Sequence, residues 1–220
     1  KESNLSPAKF IPIAEQSGLI GAIGRHVIKL AISQIAIWKK TIDLRVPISI
    51  ILSSQQLDDV FLVGFIQGIL NEMEVEPSLL SIEITETAII EPTSRMATIL
   101  KQLKKMGMRV SIDDFGSGQS GINYLTKFEA DEVKLDKSFC DQYLNLDKLS
   151  IFHAVVHLCK LLGYQVVAEG IETLEQIDLL KATACQFAQG YYYYRPMKVA
   201  DMETVYVNKE SGNEGPYHKG

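Results

Sequence analysis

The sequence predicts an α/β fold in which helices wrap a parallel sheet of the barrel kind. Three observations predict it. Short β-rich runs alternate with helical patterns along the chain. The charged residues in several of those runs fall on one parity, late in each run. The length, 220 residues with no low-complexity linker, suits one α/β barrel.

The elements follow in order. Ser6 before Pro7 marks a first helix start, because proline suits the first helical position. Strand runs follow at VPISIIL (46–52), LLSIEIT (79–85), MRVSIDD (108–114), DEVKLD (131–136), YQVVAEG (164–170) and FAQGYYYY (187–194), six in all. Between the second and third, Met96, Ile99, Leu100, Leu103 and Met106 share one helical face, and Gly107 ends it. Leu149, Phe152, Val156 and Cys159 repeat the pattern before Gly163. Thr173 to Gln176 has the form of a capping box. Trp38 belongs in a helix core, His153 and His157 on a helix surface or in its packing, and Tyr191 to Tyr194 on the barrel wall and rim.

Composition narrows the function classes. With 46% hydrophobic residues and a net charge of −5, the chain is an ordinary soluble globular protein rather than a DNA-binding one. No uninterrupted apolar run of ~20 residues is visible, so no membrane contact is expected. Cys140, Cys159 and Cys185 are odd in number and lack a Cys-x-x-Cys spacing, which suggests neither a disulfide framework nor a thiolate zinc site. They fit the reducing cytoplasm. The chain starts without methionine and ends in the polar NKESGNEGPYHKG, so residues 1–207 are expected to form the domain and 208–220 a disordered or expression-derived tail.

Period two places the chemistry. Ile82 and Ile84 oppose Glu83 and Thr85; Val110 and Ile112 oppose Ser111 and Asp113; Val133 and Leu135 oppose Lys134 and Asp136. In a barrel covered by helices the charged parity faces inward, and late positions reach the C-terminal mouth. Glu83, Asp113, Asp114 and Glu169 would gather there, with Glu86 and Asp136 nearby and Lys134 among them. Converging carboxylates repel, and hard divalent cations such as Mg²⁺ or Mn²⁺ would neutralise them and activate a water for phosphoryl displacement. Taken singly, each acid is better read as a solvated strand end or part of a structural ion pair; it is the same placement repeated over the strands that points to a metal. FGSGQSG, from Phe115, could turn backbone amides toward a phosphate but does not match the Walker pattern, and its spacing reads as a tight turn first.

Seven motifs occur in one order: FIPIAEQSGLI, LSSQQL, SIEITET, SIDDFGSGQSGINYL, DEVKLDKSF, VVAEGIET and QGYYYYRPM. From about Ser6 to Met197 the chain resembles the EAL domain family of cyclic di-GMP phosphodiesterases. The resemblance implies a modified TIM (β/α)8 barrel that hydrolyses cyclic di-GMP to linear pGpG with Mg²⁺ or Mn²⁺. By position, Glu83, Asp113 and Asp114 resemble metal ligands, and Glu169 the metal-linked or general-base glutamate. Lys134 resembles the lysine that holds the attacking water, and Gln189 a mouth residue supporting it. Glu86 resembles the anchor of the loop after the aspartates, and Arg195 with Pro196 lies where a guanine is held. Such domains often dimerise and adjoin sensor or diguanylate-cyclase domains.

Two departures stand out. The Glu-Ala-Leu segment is absent, and with six strands visible the first strands of the barrel are expected to precede Lys1. Ile51 occupies the position of a metal-ligating asparagine and has no lone pair to give. The loop reads GSGQSG where the family more often has GTGYSS, which changes Gln119 and Gly121. Three readings remain: a phosphodiesterase, active or weakened; a receptor that binds cyclic di-GMP without cutting it; and a protein-contact scaffold, which has least need of so many inward charges.

Overall fold

A computed structural model describes residues 6–90, 93–118, 125 and 129–210. Six strands alternate with helices, β1–β2, β2–β3, β4–β5 and β5–β6 pair in parallel, and sheet order follows chain order from β1 to β6. The chain divides into two compact units, Lys1–Asp113 with Ser120–Asp131, and Asp114–Gln119 with Glu132–Gly220.

The first unit holds helices α1 (Pro7–Gln16), α2 (Ile20–Thr41), α3 (Leu62–Met73), α4 (Glu86–Ile90) and α5 (Ser94–Lys105). Its strands are β1 (Ile48–Ile51), β2 (Leu80–Thr85) and most of β3 (Arg109–Phe115). In β2 both faces are covered, so Leu80 to Glu83 and Ile84 are all buried. The strand nonetheless alternates, with Leu80, Ile82 and Ile84 on one parity and Ser81, Glu83 and Thr85 on the other. α2 packs Ile28, Ile32 and Ile35 into this core and buries Trp38, as expected of a helix-core tryptophan. Thr93 caps α5 by accepting the Met96 N–H at 3.0 Å, and Met96, Ile99, Leu100 and Leu103 are buried on the predicted face.

The second unit holds β4 (Glu132–Leu135), α6 (Lys137–Tyr143), α7 (Leu149–Leu161), β5 (Gln165–Ala168), α8 (Leu174–Lys181), β6 (Phe187–Ala188) and α9 (Val199–Glu210). Its core joins Val133, Leu135, Val166 and Ala168 to Phe152, Val156 and Cys159 of α7. The Phe152 ring packs 5.9 Å from Phe139, and truncating such a buried ring to alanine costs about 3–5 kcal/mol. The Thr173 capping box is formed in full, with Gln176 N–H donating to Thr173 Oγ1 at 3.2 Å and Thr173 N–H donating to Gln176 Oε1 at 3.1 Å.

Four expectations change. The sixth strand stops at Ala188, because Gly190 starts a turn in which Tyr193 and Tyr194 donate backbone N–H groups to its carbonyl. Of the expected wall and rim positions, Tyr191, Tyr192 and Tyr193 therefore depart from the wall: they stand on an exposed turn beyond the strand. α2 is long and apolar enough by length and composition to cross a bilayer, although its apolar stripe is partly used as core. The helix α9 runs to Glu210, past position 207; residues 211–220 lie outside the described residues.

Candidate functional site

β2 and β3 lie in parallel register, Glu83 beside Ser111 and Thr85 beside Asp113, so Glu83 and Asp113 share one face of the sheet. Both are buried. Glu86, at the start of α4, is buried as well. Ile51 pairs with Glu83 and shares its face, so a residue at 51 stands beside that carboxylate, as the ligand position requires. Its side chain is 59% exposed and lines a cleft of about 840 Å³ with Glu83, Ser49 and Ser53. Parallel pairing brought these residues together, and strand periodicity alone cannot give that register.

Asp114 follows with φ +58°, a left-handed conformation uncommon outside glycine and best tolerated by asparagine and aspartate. It turns the chain so that successive aspartates do not simply alternate across the strand. In the second unit, carboxylate oxygens of Asp114 and Glu169 lie within 4.8 Å of each other. Glu83 is not part of that cluster. Two carboxylates so close offer oxygen donors of the kind a hard divalent cation takes.

Lys134 is buried on β4, and its Nζ lies 2.8 Å from Glu169 Oε1. The two side chains are 8% and 15% exposed, so this is an ion pair largely withdrawn from water. The backbone fixes the other end, because Glu169 N–H donates to Leu135 O at 3.0 Å. Asp136 follows Lys134 by two positions and caps α6, accepting the Ser138 N–H at 2.8 Å and the Ser138 hydroxyl. Its role in the described geometry is thus to start a helix.

Gln189 is exposed just beyond β6, with its backbone N–H donating to Ala168 O at 2.8 Å. It borders a second cleft of about 520 Å³ with Tyr191, Arg195 and Pro196. The Arg195 guanidinium lies 4.7 Å from the Tyr191 ring centroid, a cation–π arrangement that holds it over an aromatic wall. Gln119 and Gly121 lie outside the described residues.

The remaining candidates resolve simply. His153 and His157 are exposed on α7. Burial pushes the Cys140 thiol up to about 12 and the Cys159 thiol up to about 11, and raises Cys185 too, so these cysteines are poor nucleophiles. Sequence reading passed over Lys137 and Glu172, although each follows a site residue by three positions, Lys134 and Glu169 respectively.

A family profile described as EAL domain matches residues 1–196. The chain belongs to the EAL domain family. It is 36% identical over 207 residues to the signaling protein YkoW of Bacillus subtilis, covering 93% of this chain and 26% of that protein. It is 35% identical over 201 residues to the cyclic di-GMP phosphodiesterase PA2567 of Pseudomonas aeruginosa, covering 90% of this chain and 34% of that protein. The solved cyclic di-GMP complex of the PaMucR phosphodiesterase is 35% identical, with a TM-score of 0.81 over 90% of this chain and 81% of that one. This EAL chain thus spans about a quarter to a third of those two curated relatives. The α/β fold is that of its EAL neighbours.

Proposed function

We propose that this chain is a metal-dependent phosphodiesterase domain that opens one phosphodiester of cyclic di-GMP to give linear pGpG. The observation that carries the reading is the Asp114 and Glu169 carboxylates within 4.8 Å of each other, with Lys134 Nζ 2.8 Å from Glu169. Asp113 and Asp114, with Glu83 on the same strand face as Asp113, would hold Mg²⁺ or Mn²⁺. When bound, such an ion lowers the pKa of water and offsets phosphate charge. The chain's own groups do the rest. Lys134 orients the attacking water and compensates charge developing on phosphate oxygen. Glu169 accepts the water's proton at the carboxylate that Lys134 holds in place. Gln189 supports that water at the mouth, Glu86 anchors the loop after Asp114, and Asp136 keeps the turn after Lys134 in register. Arg195 and Pro196, beside Tyr191, offer a planar base a stacking and hydrogen-bonding wall. The domain acts in the cytoplasm, with fused sensor or diguanylate-cyclase domains and a homodimer as its partners.

A second reading, a receptor that binds cyclic di-GMP without cutting it, is favoured by Ile51, whose hydrocarbon side chain beside Glu83 donates no lone pair. One experiment separates the two. The full polypeptide is given cyclic di-GMP with Mg²⁺ or Mn²⁺ and assayed for pGpG, and binding is measured in Ca²⁺. Product lost in Lys134→Ala supports the enzyme; tight binding without product supports the receptor. Ile51→Asn is expected to raise metal affinity and turnover by about tenfold, the scale of one ligand-sphere contact. If neither moves, the missing-ligand account fails.

A further inference from the structure

The turn from β4 into α6 supplies a second lysine three residues after Lys134. Lys137 Nζ lies 3.1 Å from Glu172 Oε1 and 3.4 Å from Asp141 Oδ2, and it donates to Gly170 O at 3.5 Å. Its stem lies against Gly170: a Cβ on that glycine would meet Lys137 Cγ at 2.3 Å and Cβ at 2.5 Å. Gly170 has φ +67°, so the chain reverses immediately after Glu169, and the lysine methylenes fill the space a side chain would take. Glu172 is the main reason the Lys137 ammonium holds its proton above the usual lysine range.

One short turn therefore grips one short loop twice. Lys134 takes Glu169, while Lys137 takes the carbonyl of Gly170 and the carboxylate of Glu172. A single exposed ion pair adds little stability, about 1 kcal/mol at most. Here three acceptors share one ammonium whose stem is packed on backbone, so the consequence is directional rather than energetic. We infer that Lys137 is a positioning residue that fixes the Glu169–Glu172 turn and thereby aims the Glu169 carboxylate. The inference rests on Glu169 being the proton acceptor of the proposed reaction.

The test compares Lys137→Arg, which keeps charge and reach, with Lys137→Met and Glu172→Gln in the full polypeptide. With Mn²⁺ and cyclic di-GMP, Lys137→Met and Glu172→Gln are each expected to lower kcat about fivefold with KM nearly unchanged, the mark of misdirected chemistry rather than lost binding. The double variant should be no slower than either single one, and Lys137→Arg should stay within about twofold of wild type. A second readout needs no turnover. In metal-free protein, hydrogen exchange at the amides of Ile171 and Glu172 should quicken about fivefold in Lys137→Met and stay near wild type in Lys137→Arg. Unchanged exchange in Lys137→Met overturns the inference, as does faster exchange accompanied by an unchanged kcat. If wild type makes no pGpG, the phosphodiesterase reading fails on its own, and the exchange data alone decide whether Lys137 holds the turn.

Discussion

Lys134→Met removes the ammonium from the Lys134–Glu169 pair while keeping most of the side-chain volume. The contact is 2.8 Å with both partners mostly buried, and at an effective dielectric of about 20 two unit charges at that distance attract by about 6 kcal/mol. Part of that attraction is offset by the cost of withdrawing both charges from water. Removing one partner from a buried pair therefore destabilises by about 3–5 kcal/mol, chiefly because the other charge stays behind. In this site the charge left behind belongs to Glu169, whose carboxylate is within 4.8 Å of that of Asp114. Two acids would then face each other without that ammonium. Urea unfolding at pH 7.5 should show a loss of about 4 kcal/mol in Lys134→Met and a smaller loss in Lys134→Met with Glu169→Gln, because the second change removes the stranded charge. A coupling energy below about 0.5 kcal/mol would refute the buried pair as an energetic unit.

Two further outcomes follow from the same geometry. A Cβ at Gly190 would lie 2.1 Å from Ile171 O and 2.3 Å from Ile171 N, both backbone atoms that cannot step aside. Gly190→Ala should thus cost about 3 kcal/mol or more by thermal unfolding, whereas Gly163→Ala, at φ +90° with open space around it, should cost only about 1–2 kcal/mol of backbone strain. Equal losses would contradict the close approach. The Arg25 guanidinium hydrogen-bonds Asp59 and holds its carboxyl below the ordinary value of 3.8. A depressed carboxyl pKa contributes stability above the unfolded value and loses it as pH falls through the folded one. The pair is partly exposed, so Arg25→Ala should cost at most about 1 kcal/mol at pH 7 and progressively less below about pH 4. A cost that persists undiminished at pH 2 would assign it to packing instead.

Much of the fold was legible because hydrophobic period is local information. The alternation in SIEIT and VSIDD and the 3.6-residue spacing from Met96 to Leu103 mark their elements without any partner in view. The end of the sixth strand was not legible in the same way. Four tyrosines favour β structure, and only the approach of Gly190 to the Ile171 backbone converts them into a turn.

The sequence by itself determined the family, through seven motifs in one order, and the parity of Glu83, Asp113 and Lys134 and the Thr173 capping box, because these last depend on residues near one another in the chain. Tertiary structure alone decided that Ile51 stands beside Glu83, that Lys134 pairs with Glu169, and that Lys137 grips Gly170 and Glu172. Those relations join segments about thirty residues apart. Strand register and loop closure set them, and neither leaves a trace in the spacing of residues along a single strand.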